Sequence, residues 1–115
     1  MSIEKLTSTA ENTPKGYVIA QLEITNEDMF YNEYGSRSFP TLLANDGKIL
    51  VTTQPADKLE GDWKGNWTVI IEFPSKAVAL NWYNSKAYQD AISYRKNSTK
   101  FSNIVILDGF VPPQS

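Results

Sequence analysis

The sequence predicts an α+β fold: a four-stranded antiparallel sheet with helices on one of its faces. Three observations lead there. Stretches with strand and helix periodicity follow one another in the order β-α-β-β-α-β. Residues 68–97, TVIIEFPSKAVALNWYNSKAYQDAISYRKN, read as a strand, a proline-set turn, a capped helix, a second cap and a second short helix. At 115 residues the chain is the size of one domain and can bury a core without staples or metals.

The elements follow in order. Residues 1–15 are polar and aperiodic and read as a flexible arm, with Ile3 and Leu6 as its contact points. Residues 16–111 form the single domain, and residues 112–115 a tail. Residues 17–25 alternate, with Val18, Ala20, Leu22 and Ile24 on an apolar face and Tyr17, Ile19, Gln21 and Glu23 on a mixed one. Thr25 or Asn26 caps a helix in which Phe30 and Tyr34 stack at i, i+4. Pro40 should bend that helix or interrupt it near residues 37–39, with a restart at 41–44 and a stop at Asn45-Asp46-Gly47. Residues 48–54 read as the second strand. Residues 56–67 read as a loop with a short extended piece at 58–60. Residues 66–73 are the third strand, with Trp67, Val69, Ile71 and Phe73 opposite Thr68, Ile70 and Glu72. Ser75 caps a helix that ends near Trp82 and Tyr83. Ser85 caps another over 87–96, whose Tyr88, Ala91, Ile92 and Arg95 share a face. Residues 103–110 are the last strand.

This order is the ferredoxin-like split arrangement. Helices cover only one face of such a sheet. The other carries Ile19, Ile70 and either Ile104 with Ile106 or Val105 with Leu107. At about 25 cal/mol per Å2, hiding a few hundred Å2 of aliphatic surface contributes several kcal/mol before the losses of association. The expectation is a homodimer, sheet against sheet.

Composition excludes much chemistry. The chain has neither Cys nor His, which removes disulfides, thiolate nucleophiles, Cys/His zinc sites, Ser-His catalysis and a histidine-ligated haem. No glycine-rich phosphate loop or paired metal carboxylates appear; Asp57, Glu60 and Asp62 are close in sequence but make a poor cation site. The expectation is no cofactor and no metal. The net charge of −2 is spread without basic runs, which argues against nucleic acid and membrane surfaces. No apolar run is long enough to span a bilayer, and the N-terminal residues lack a secretory pattern, so a cytoplasmic location is expected.

Across residues 16–110 the chain resembles the family named domain of unknown function 1330. The likeness rests on the opening GYVIAQLEIT, LEGDW ending at Trp63, IIEFPS ending at Ser75, and WYNSKAYQDAISYR ending at Arg95. The resemblance implies a ferredoxin-like subunit that pairs into a dimeric α+β barrel. The wider superfamily is similar to cofactor-free monooxygenases, haem-binding enzymes and muconolactone isomerase-like proteins, and the lack of His weighs against the haem branch.

The candidate site residues come from residue chemistry. Arg37 and Arg95 are the only arginines, and both lie near aromatics; each serves either an anionic ligand or an ion pair, Arg95 with Glu72 or Asp90. Glu72 interrupts the apolar run VIIEF and is either a catalytic base or half of an ion pair. Tyr83, a candidate proton donor, and Tyr88 flank the break between two helices, and Tyr34 joins them; the alternative for all three is core packing with a tethered hydroxyl. Asp62 and Trp63 occupy a loop, as ligand contacts or, for Asp62, as a turn residue and, for Trp63, as a lid over the core or a dimer contact. Two functions stay open. One is binding or cofactor-free transformation of a small anionic or aromatic molecule. The other is a non-catalytic dimeric module.

Overall fold

The computed structural model describes residues 13–113. The arm expected for residues 1–15 lies outside the described residues up to residue 12, as do residues 114–115 of the tail. Strand β1 (Gly16–Ile24) leads through a single helical turn into α1 (Met29–Gly35), a segment wound as a π-helix, and on into α2 (Ser36–Ala44). Then come β2 (Lys48–Thr53), β3 (Trp67–Phe73), α3 (Lys76–Asn84), α4 (Lys86–Asn97) and β4 (Thr99–Asp108). The four strands lie in the order β2-β3-β1-β4, and every neighbouring pair is antiparallel. Among the described residues no helix is long and apolar enough to cross a membrane.

Register assigns the faces. Ile19 stands opposite both Ile70 and Val105, so Val105 and Leu107 join the open face, whereas Ile104 and Ile106 pack against the core. On β1 the burial alternates strictly, with Val18, Ala20, Leu22 and Ile24 inside. Phe73 and Trp82 stack with ring centroids 5.3 Å apart and join β3 to α3. The caps are where the sequence puts them. Ser75 Oγ accepts from the Val78 amide and Ser85 Oγ from the Tyr88 amide.

Three local expectations are corrected. The helix does not break at residues 37–39, because α2 runs on through Pro40. The distortion lies just upstream, in the widened turns of α1. Pro40 has no amide to give the Ser36 carbonyl, yet α2 keeps its α winding around it. The extended piece at 58–60 is absent: residues 54–66 contain no strand. That segment bends at Gly61 and Gly65, both at positive φ, and a Cβ on Gly65 would collide with the Leu22 carbonyl. Strand β4 starts at Thr99 rather than at 103. Ser98, fully buried, closes α4 with its hydroxyl, and its carbonyl accepts the Thr25 and Asn26 amides, so the chain enters the sheet at once.

Candidate functional site

The site arises from uneven helix cover. Helices α3 and α4 lie over β1 and β4, while α1 and α2 pack on α4. Strand β2 receives no comparable cover and stays largely exposed. Between α1/α2 and the sheet a cavity of about 320 Å3 remains, which is within the range of small-molecule pockets. Its walls are overwhelmingly apolar, with Val18, Ala20 and Leu22 from β1, Val69 and Ile71 from β3, and Leu42 from α2.

One cluster breaks that apolar lining. Tyr88 and Arg95 lie two turns apart on α4, and Tyr34 comes across from α1. The Tyr34 and Tyr88 hydroxyls are 2.7 Å apart, and Arg95 Nη1 donates to the Tyr88 hydroxyl at 2.7 Å. Arg95 is 4% exposed, and among the described residues it has no acidic partner and its Nε–H no hydrogen-bond partner. The ion pairs among the described residues are Arg37–Glu33 and Lys86–Asp90, both on the surface. Tyr88 is packed against the Trp82 ring at 4.1 Å, and Trp82 Nε1 donates to Thr41 Oγ1 at 2.9 Å, which fixes both rings.

The electrostatics follow from burial. Burial drives the Tyr88 phenol far above the ordinary tyrosine range; the neighbouring Tyr34 adds to this and Arg95 only partly opposes it. Tyr88 therefore stays protonated. Burial also works against the Arg95 charge, but the oxygens of Tyr88 and Tyr34 favour it, and the net displacement is upward. Arg95 therefore keeps its proton. An arginine can only donate, so the Tyr88 oxygen accepts from it, and the phenol proton is left for Tyr34 or for the cavity. The cluster holds a positive charge and a surplus of donors, and among the described residues no carboxylate lines the cavity.

The structure brings Tyr34, Tyr88 and Arg95 together at the cavity and leaves the other sequence candidates elsewhere. Arg37 is exposed on α2, donates to the Glu33 carboxylate at 2.9 Å, and stacks 4.1 Å above the Tyr94 ring. Glu72 lies on the open face of the sheet, where its Oε2 accepts from the Tyr17 hydroxyl at 2.9 Å. That hydrogen bond, with some burial and the carboxylate charge, raises the Tyr17 phenol. Tyr83 is half-buried, 5.7 Å from the Tyr88 ring, and does not line the cavity. Asp62 is exposed in the loop. Trp63 lies over the open face, donating from Nε1 to Thr68 Oγ1 at 2.9 Å. Sequence reasoning missed Tyr31, Phe39 and Ile49, which line the cavity while remaining substantially exposed. Only the widened α1 and the uncovered β2 bring them to one opening, and neither leaves a motif.

Solved structures share the architecture. A protein of unknown function from Rhodopseudomonas palustris superposes with a TM-score of 0.70 at 18% identity, over 95% of both chains. SnoaB, a cofactor-independent oxygenase from Streptomyces nogalater, matches with a TM-score of 0.59 at 8% identity, over 90% of this chain and 97% of its own. A dimeric protein of unknown function and ferredoxin-like fold from Bacteroides fragilis matches with a TM-score of 0.51 at 13% identity, over 82% of this chain and 95% of its own. Identities this low carry the fold alone. No curated protein matches the sequence. The fold is thus ferredoxin-like, and since the profile of the family described as "Domain of unknown function (DUF1330)" matches residues 15–110, the chain belongs to that family.

Proposed function

We propose that this protein binds a small anion with an apolar or aromatic body in the cavity beneath α1 and α2. The observation that carries the reading is Arg95: a buried guanidinium that lines an apolar cavity and, among the described residues, has no carboxylate partner and an enclosed Nε–H without a hydrogen bond. A buried, unpaired charge is unfavourable by several kcal/mol, and a bound anion offsets that. Arg95 and Tyr34 supply hydrogen bonds to a carboxylate, the first of them charge-assisted, while the enclosed Tyr88 holds Arg95 in place. Removing a proton from carbon needs a base, and among the described residues no carboxylate lines the cavity. Binding of an anion already formed at neutral pH needs none, which favours a binding role over an isomerase-like one.

Calorimetry with octanoate and benzoate, against the matching alcohols and amides, tests this. The acids should bind and the neutral analogues bind at least about tenfold more weakly, because a charged hydrogen bond contributes about 1.5–3 kcal/mol. Arg95→Met should abolish that preference. Equal binding of acid and alcohol would refute the reading.

The second reading is that two copies pair through the open face. Val105 and Leu107 are 51% and 48% exposed there, beside Ile19 and Ile70, a patch ill-suited to water. The Bacteroides fragilis neighbour, described as dimeric, adds support. Sedimentation equilibrium should give twice the chain mass at micromolar concentration, and Val105→Glu should give the single mass. A wild-type monomer would rule pairing out.

A further inference from the structure

The cavity is graded from one side to the other. Its charged and phenolic groups are deep, with Tyr88 at 0% and Arg95 at 4% exposure. Three large apolar side chains line it and also face solvent: Tyr31 at 47%, Phe39 at 49% and Ile49 at 38%. They come from α1, α2 and β2, so together they rim the gap left where β2 lacks the helix cover of β1 and β4. Single exposed apolar residues are ordinary, but three around one opening make a greasy mouth. A polar headgroup left at that mouth would gain nothing from it, while the guanidinium inside would remain unpaired.

Size narrows the class. A dry apolar cavity of about 150 Å3 accepts one benzene. The cavity here, at about 320 Å3, is roughly twice that. Resting on the anion-binding reading, we infer that the ligands are amphiphilic monocarboxylates that enter head first. The carboxylate meets Arg95 and Tyr34, the body fills the apolar chamber, and the tail emerges between Phe39 and Ile49. Medium-chain alkyl acids and two-ring aromatic acids fit this class. Short polyanions and sugar phosphates do not, because a second charge would rest on apolar wall.

The test is calorimetric titration of the full chain with straight-chain carboxylates from butanoate to dodecanoate, each below its micellar concentration. Affinity should rise about fourfold per added methylene while the chain stays inside. Once the tail passes Phe39 and Ile49 the rise should level off rather than reverse. Phe39→Asp and Ile49→Asp change exposed side chains and should leave folding intact. Each should weaken the long acids about tenfold and leave butanoate unchanged. Arg95-dependent binding of short acids with exclusion of long ones would overturn the head-first inference and leave anion binding standing. Long and short acids equally affected by the two mouth variants would also overturn it. If no acid binds at any length, or Arg95→Met binds them as well as wild type, the anion reading itself falls.

Discussion

The two arginines of this chain are of one residue type, sit in helices and lie beside tyrosines, yet they occupy opposite environments. Arg37 is on the surface, paired with Glu33 across one turn and stacked on Tyr94, so everything its charge needs is supplied locally and in water. Arg95 lies inside, two turns from Tyr88, with phenol oxygens for company and no counter-charge among the described residues. The first is a surface ornament of the kind that contributes little. The second holds an uncompensated charge at the wall of an apolar cavity. Burial, and not residue type, separates an ion pair from a binding group.

The sharpest way to break that contrast is Tyr88→Phe. It removes the acceptor of Arg95 Nη1 and leaves a buried charged donor unsatisfied, for a loss of about 3 kcal/mol and a fall in Tm of roughly 10 °C. A loss within error of zero would mean that water already reaches the guanidinium. Arg95→Met should act in the opposite direction. Stability should hold or rise by up to about 2 kcal/mol in urea melts, because a desolvated charge has gone and the volume is kept. A large destabilisation would instead make Arg95 a structural residue.

The third experiment uses alkali. Burial raises the Tyr88 phenol, so the folded chain keeps a proton that the unfolded chain releases above about pH 10. Its contribution is complete below that pH and is lost as the pH rises. The stability difference between wild type and Tyr88→Phe should therefore shrink by about 1.4 kcal/mol per pH unit above pH 10. Parallel curves would show that the phenol ionises freely in the fold. The smallest effect belongs to the surface arginine. Arg37→Ala should change stability by about 0.5 kcal/mol and leave acid binding untouched. A binding defect there would erase the distinction between the two sites.

Local order was open to reading without coordinates. The alternation of residues 17–25 placed Val18, Ala20, Leu22 and Ile24 inward, and they are buried. The serines at 75 and 85 announced their helices because a cap is made within one turn of chain. The shared face of Tyr88, Ala91 and Arg95 was also legible, since helical spacing fixes it. Where α2 meets Pro40 the pattern misled, for α2 runs through it, and the departure from α winding lies upstream in α1, which no periodicity encodes.

Sequence alone thus determined the order of strands and helices, which of their faces turn inward, and which catalytic chemistries the missing Cys and His remove. It could not separate Arg95 from Arg37 or gather Tyr31, Phe39 and Ile49 around one opening. Those outcomes depend on how helices settle over a twisted sheet and on which strand they leave bare. Contacts between residues far apart in the chain carry no local spacing rule, so only the assembled molecule fixes them.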